Sequence, residues 1–354
     1  MQRILITGGC GFIGSNFVKA AHRALSDARL VCLDKLNYAG NLMNLADLEG
    51  DSRFRFVKGD ISDEALLERI FSEEHFDTVI NFAAESHVDR SILESEQFVG
   101  TNVLGTHCLL QVARKHWGDD GGIAGEDRRF LQISTDEVFG ELGETGSFRE
   151  NSPYQPRSPY SASKASADHL TRAMFHTHQL PVLITNCSNN YGPFQFPEKL
   201  IPLAILNAKE GRSIPIYGDG QHVRDWLFVS DHCSALLEVL ARGRVGETYC
   251  IGGNCEKKNL EVVEEVCDLV DELMEPLAFP RRELITHVSD RPGHDRRYAI
   301  DTSKISTEFD WRPSVDFEEG LRKTVEWYLS HEEWLGAMTD GSYREFYDRL
   351  YGDR

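Results

Sequence analysis

The sequence predicts an α/β protein: a doubly wound parallel sheet with helices on both faces, followed by a smaller mixed α/β C-terminal lobe. Three observations predict it. Short β-rich runs alternate with amphipathic stretches through the first half of the chain. The first run leads straight into a glycine-rich turn that opens a helical pattern. After about residue 190 the alternation loosens into loops rich in Gly, Pro and aromatics, punctuated by helices.

In chain order, the expected strands are "RILIT" (3–7), "RLVCLD" (29–34), "FRFVKGD" (54–60), "DTVINFAA" (77–84), "RFLQIS" (129–134) and "PVLITNCS" (181–188). Helices are expected over 13–25, 63–75, 98–116 and about 160–178. "WGDDGGIAGEDRR" (117–129) reads as a polar, mobile surface loop. Farther on, "YGPFQFP", "SIPIYGDGQ" and "DRPGH" read as loops, with helices near 198–210, 231–241, 259–274 and 316–330. The expected organisation is a nucleotide-binding and catalytic unit over 1–190 and a mainly substrate-binding lobe over 191–354. Some segments of that lobe return to the first unit.

The composition is that of a globular protein, with 41% apolar and 27% charged residues among 354. A formal charge of −19 argues against nucleic acid or anionic membrane as partner. Local clusters of positive charge are therefore informative. Eight cysteines, at 10, 32, 108, 187, 233, 250, 255 and 267, contain no CxxC pair. Neither a zinc site nor a redox pair is expected, and no metal is assigned. No basic-then-apolar leader follows Met1 and no apolar run is long enough to span a bilayer, so the expectation is a cytoplasmic protein.

"ITGGCGFIGSN" (6–16) joins the first strand to the first helix. Gly9, Gly11 and Gly14 satisfy GxGxxG, and Gly8, Gly11 and Gly14 satisfy GxxGxxG. Glycines there let the backbone approach a pyrophosphate, and the helix N-terminus offers free N–H groups. Twenty residues beyond Gly14, Asp34 ends the second run. A carboxylate there suits ribose hydroxyls and repels a 2′-phosphate, which favours NAD over NADP. This is a Rossmann-type pattern. In "GDISD" (59–63), Asp60 and Ile61 could meet an adenine edge; an Asp that caps the next helix fits the spacing equally well.

"YSASK" sets Tyr160 and Lys164 four apart, on one face of a helix. A nearby ammonium and an oxidised nicotinamide both favour the phenolate, which suits Tyr160 as a base. "STDEVFG" (134–140) places Thr135, Asp136 and Glu137 at the expected end of a strand. Two adjacent acids are costly to bury together unless one holds a proton. The same run also reads as a helix N-cap with acids near the dipole.

The glycine motif, "NFAAESHVDRS" (81–91), "STDEVFG", "YSASK", "NCSNNYGPFQFPEKLIP" (186–202) and "DRPGHDRRYAID" (290–301) together resemble the extended short-chain dehydrogenase/reductases. Within them the chain resembles the sugar-nucleotide 4,6-dehydratases, from residue 1 to about 330. One departure is Phe139, where that group usually carries tyrosine. The resemblance implies NAD and a nucleoside-diphosphate glucose, most closely dTDP-glucose, converted to its 4-keto-6-deoxy form. It implies that Tyr160 takes the C4 hydroxyl proton, Glu137 the C5 proton, that Asp136 protonates the departing C6 hydroxyl, and that Thr135 binds the C4 oxygen. It places Gly8, Gly11, Phe12, Ile13, Gly14, Asp34, Lys35, Leu36, Asn37, Asp60, Ile61, Phe82, Ala83, Ala84, Thr101, Tyr160, Lys164 and Asn190 on the cofactor. It places Ser86, Thr135, Asn189, Lys199, Leu200, Pro215, Ile216, Tyr217, Arg224, Asn259, Arg291 and His294 on the substrate. A homodimer through helices 98–116 and 159–178 is implied likewise; their apolar residues equally suit packing on the sheet. The rival readings are a nucleotide-sugar 4-epimerase, which would share Tyr160 and Lys164, and a non-catalytic NAD-binding scaffold. A sugar-acid decarboxylase would need a carboxylate partner that the sequence does not identify.

Overall fold

The computed structural model describes residues 2–118 and 128–339, and in addition Tyr343, Glu345, Tyr347 and Arg349. Most of the expected loop at 117–129 lies outside these residues. The strands are β1 (Arg3–Thr7), β2 (Arg29–Asp34), β3 (Phe54–Lys58), β4 (Thr78–Asn81), β5 (Arg129–Thr135), β6 (Val182–Cys187), β7 (Asn189–Tyr191), β8 (Ile214–Tyr217), β9 (Val223–Phe228), β10 (Thr248–Ile251), β11 (Glu256–Lys258) and β12 (Ile285–Val288). The helices are α1 (Phe12–Ala24), α2 (Glu64–Glu74), α3 (Val88–Leu93), α4 (Ser95–Phe98), α5 (Thr106–Trp117), α6 (Pro159–His178), α7 (Leu200–Glu210), α8 (Val229–Arg242), α9 (Asn259–Leu273), α10 (Ser303–Phe309), α11 (Phe317–Ser330) and α12 (Glu332–Met338).

Seven strands form one sheet in the order β10-β6-β5-β4-β1-β2-β3, with every pairing parallel. Helices cover both faces, so β4 and β6 are buried along their whole lengths. On one face Phe17 and Val18 of α1 pack with Leu236 and Val239 of α8. On the other, Leu67 and Ile70 of α2 pack with Leu109 and Val112 of α5. The strand order reverses at β1 and β4, where a doubly wound sheet opens a crevice beyond its strand ends.

A separate apolar core joins α7, α9 and α11 to β8 and β9 in the lobe. Here the sequence expectation needs correction. "SIPIYGDGQ" was expected as loop, but Ile214–Tyr217 is a strand paired in parallel with β12. Pro215 weakens the strand reading by removing an N–H donor; a two-stranded sheet tolerates it because each strand has a free edge. The helix expected at 98–116 is broken into α4, a π-helical stretch at Val99–Gly105, and α5. Six of the cysteines are buried, and all eight are free thiols. Among the described residues no helix is long and apolar enough to cross a membrane.

Candidate active site

The C-terminal ends of the central strands open into one cleft. Gly8 follows β1, Asp34 ends β2, Asp60 and Ile61 follow β3, and Phe82, Ala83 and Ala84 follow β4. Thr135 ends β5, and Asn189 and Asn190 follow β6. Gly11, Phe12, Ile13, Gly14, Lys35, Asn37, Ser86, Thr101, Asp136, Glu137, Tyr160, Lys164 and Lys199 complete the expected residues on its walls.

The first wall is a tight glycine cradle. A Cβ on Gly8 would lie 2.6 Å from the Ala83 nitrogen, and one on Gly14 would lie 2.2 Å from the Gly8 carbonyl oxygen. Gly8 also has φ +66°, a left-handed conformation that favours glycine. Asp34 fixes the floor: its Oδ2 accepts from the Cys10 N–H at 2.9 Å and its Oδ1 from the Leu36 N–H at 2.8 Å. Each oxygen keeps a lone pair for a ribose hydroxyl. Burial raises the Asp34 pKa, while those two N–H bonds oppose the shift. The cradle, the free helix end and the buried carboxylate together fit a dinucleotide without a 2′-phosphate.

Several residues stand differently from their sequence reading. Leu36 is held at φ +56° and packs against the core beside the cleft, outside its lining. Asp60 does not cap α2. Asp63 does, accepting from the Leu66 N–H at 3.0 Å, while Asp60 accepts from Ser62 N–H and Oγ. Thr101 sits in the π-helical stretch and accepts from Lys35 Nζ at 3.0 Å. Such stretches often mark functional positions.

The acid pair sits on a short 3-10 turn, Asp136–Phe139, that begins where β5 ends. The capping reading of "TDE" therefore holds locally: Thr135 Oγ1 accepts from the Glu137 N–H at 3.3 Å. The turn stops at Gly140, φ +86°, whose Cβ would meet the Gln155 carbonyl oxygen at 2.5 Å. Phe139 is buried, stacked on Phe148 at 5.0 Å and edge-on to Tyr154. Asp136 is 2% exposed; Oδ1 accepts from Thr135 Oγ1 at 3.2 Å, and Oδ2 is buried without a hydrogen-bond partner. Burial, and then the charge of Glu137, push its pKa well above the ordinary carboxylate range. Glu137 is half-buried. Burial raises it too, but Arg291, Lys199 and Arg224 pull the other way. The pair is thus biased toward a protonated Asp136 beside an ionisable Glu137.

Tyr160 is 8% exposed and in hydrogen-bond contact with the Thr135 hydroxyl. Burial and the charge of Glu137 push its phenol well above 10. The expected help from Lys164 is not among the influences on Tyr160. Instead Lys164 Nζ donates to the Ile133 carbonyl at 2.6 Å, and burial lowers its own pKa. Burial and the neighbouring negative charge thus favour the protonated phenol, and a positive charge beside it would favour release of the proton.

Lys199 donates to the Ser86 carbonyl at 2.9 Å, which ties the lobe to the segment after β4. The remaining expected substrate residues do not line the cleft. Tyr217, Arg224, Asn259, Arg291 and His294 gather beside it. Tyr217 packs edge-on to His294, which stacks on His222 at 3.7 Å; the Asn259 N–H donates to the His222 carbonyl. Arg224 is buried, donating to the Asp295 carbonyl at 2.9 Å, and both Arg224 and Arg291 act on Glu137. Leu200 and Ile216 pack in the apolar core of the lobe, and Pro215 is buried on β8.

His222, Asp290 and His294 bring three potential ligand atoms within 4.8 Å of one another. Arg224, Arg291 and Arg296 surround them and, together with burial, lower the pKa of His294. The imidazoles are therefore neutral, but the same arginines oppose a further cation. Sequence reasoning missed the buried Glu85, which pairs with Lys35 at 2.9 Å, and Glu198, which holds Arg90 at 3.2 Å and accepts from Tyr38 at 3.1 Å. Glu85 and Glu198 lie inside quoted motifs, but their partners come from distant parts of the chain.

A family model described as GDP-mannose 4,6 dehydratase matches residues 5–324. The dTDP-glucose 4,6-dehydratase of Xanthomonas campestris pv. campestris (strain B100) is 57% identical over 346 residues, which cover 97% of this chain and 98% of the relative. The crystal structure of dTDP-glucose 4,6-dehydratase from Bacillus anthracis in complex with NAD superposes with TM-score 0.85 at 47% identity, covering 96% of this chain and all of that one. That of UDP-glucose 4-epimerase from Thermotoga maritima, with UDP-glucose, superposes with TM-score 0.80 but at 27% identity, covering 94% of this chain and all of that one.

Proposed function

The chain belongs to the GDP-mannose 4,6 dehydratase family, and from that premise we propose that it is an NAD-dependent hydro-lyase acting on dTDP-glucose. Its product is the 4-keto-6-deoxy sugar nucleotide. The observation that carries this reading is the unequally raised pair Asp136 and Glu137, of which only Glu137 faces opposing cations first, set in one cleft with Tyr160, Lys164 and a dinucleotide cradle.

NAD, when bound, supplies reversible hydride storage between C4 and C6 of the sugar. Tyr160 takes the C4 hydroxyl proton as the carbinol becomes a ketone, and Lys164 keeps a positive charge near that exchange. Thr135 donates to the C4 oxygen and stabilises charge developing there. The ketone acidifies the C5 hydrogen, which Glu137 removes. Asp136 gives its proton to the C6 hydroxyl, which leaves as water. Glu137 then returns its proton to C5. Lys199, Arg224 and Arg291 set positive charge opposite an anionic diphosphate, in a chain whose net charge is −19.

Incubation with dTDP-glucose should give a product lighter by one water, with ketone absorbance. A product of unchanged mass would point to epimerisation and overturn the proposal. UDP-glucose in the same assay tests the base.

The assembly proposed is a homodimer. Leu93, Val99 and Leu104, on the helical run through α3, α4 and α5, are 47%, 50% and 60% exposed. A second copy of that run would cover them. Leu104→Glu should convert a dimer to a monomer in sedimentation; a wild-type protein that sediments as a monomer would sink the assignment. Eight free thiols suit a reducing, cytoplasmic setting, which fractionation of the native protein tests.

A further inference from the structure

We propose that Asp168 is a positioning residue: a buried counter-charge that holds Lys164 as an ammonium and ties it to the end of β5. The inference rests on the reading of Lys164 given above.

Asp168 lies one turn beyond Lys164 on α6 and is fully buried. Its Oδ2 accepts from Ser134 Oγ at 2.6 Å and from the Tyr154 hydroxyl at 2.9 Å. Its Oδ1 is buried without a hydrogen-bond partner. An oxygen stripped of water and given no donor must be compensated by nearby positive charge. Two cations face it, Lys164 and Arg172, and Arg172 Nη2 donates to the Tyr154 hydroxyl at 2.8 Å. Lys164 has the complementary problem. It is 5% exposed, and its one close acceptor is the Ile133 carbonyl. Burial lowers its pKa, and the foremost opposing influence is Asp168, followed by the Cys187 thiol on β6.

The same carboxylate also reaches the acid turn. Tyr154 accepts from Asn186 Nδ2 at 3.3 Å, and that amide nitrogen donates to the Thr135 carbonyl at 3.0 Å. Ser134, held directly by Asp168, precedes Thr135. One buried carboxyl therefore braces the strand that presents Thr135, Asp136 and Glu137, and balances the lysine beside Tyr160. Asp168 does not line the cleft.

The test compares pH profiles of kcat for Asp168→Asn, Tyr154→Phe and Lys164→Met. Asp168→Asn is isosteric and removes only the charge. Its alkaline limb, set by loss of the Lys164 proton, should move down by about one pH unit, with KM held within about twofold. Tyr154→Phe keeps the charge and deletes one donor to it. The carboxylate survives at alkaline pH, so the alkaline limb should stay within about 0.3 pH unit of wild type, which separates loss of charge from loss of a hydrogen bond. Lys164→Met should lower kcat by a factor of about 100 or more. Wild-type limbs in Asp168→Asn, beside an inactive Lys164→Met, overturn the role of Asp168 alone. Full activity in Lys164→Met overturns the reading of Lys164 on which it rests. Should Asp168→Asn not fold, Asp168→Ser is compared with the charge-retaining Asp168→Glu: the alkaline limb should drop in Asp168→Ser alone, and equal limbs in the two variants overturn the proposal.

Discussion

Glu137→Gln should oxidise the sugar and then stop. Reduced nicotinamide should accumulate to one equivalent per subunit while ketosugar formation falls by a factor of about 100 to 10,000, the usual range for loss of a general base. The expectation follows from the separation of tasks. Oxidation at C4 needs the Tyr160 proton relay; only elimination needs a base at C5. Glutamine keeps the size of Glu137 and the Thr135 cap, because that cap uses the backbone N–H of residue 137. Removing the charge of residue 137 also removes the second-largest influence raising the Asp136 pKa. Burial, the larger influence, remains and still favours a protonated Asp136, so the variant keeps its proton donor. Asp136→Asn supplies the contrast. It should still exchange the C5 hydrogen with deuterated solvent, yet lose water slowly. Full turnover in Glu137→Gln would remove Glu137 from the role of base.

Gly14→Val should yield protein without cofactor. Even the first added carbon would sit 2.2 Å from the Gly8 carbonyl oxygen and 2.9 Å from the Gly9 Cα, both backbone atoms that no rotamer change can move. The cradle must open, at a stability cost of about 3 kcal/mol, the upper end for overpacking. Its N–H groups then no longer converge on a pyrophosphate. Acid-released NAD per subunit should drop by a factor of ten or more, with a lower melting midpoint. Gly336→Ala is the control, since an added Cβ there meets nothing within 4 Å and the residue lies in α12. Wild-type NAD content in Gly14→Val would mean that the cofactor does not depend on this turn.

The sheet was legible because its signals are local. Residues 29–34 read as one buried strand, and they form one whose limits coincide with the expectation. Gly14 and Asp34 announced a dinucleotide site through spacing alone. Residues 214–217 were opaque because Pro215 and the flanking glycines mimic a loop, and their strand partner lies some 70 residues away at 285–288. Ile216 illustrates a second limit: the resemblance implies a place on the substrate, and only the structure shows its side chain packed in the lobe core. Asp168 shows a third. In the sequence it is an ordinary acid on a helix, and its significance comes from Ser134 and Tyr154, supplied by two other segments.

The last strand of the sheet, β10, comes from within the lobe's stretch of sequence, and α8 before it packs back against α1. The polypeptide then returns to the lobe, crosses again with α10 against the sheet core, and ends its main helices in α11 on the lobe side. Such repeated lacing carries the described chain between the two apolar cores several times. A dinucleotide seated between them is expected to depart far more slowly than the sugar turns over, so one molecule serves as a reusable electron reservoir through successive rounds without exchange with the surrounding pool.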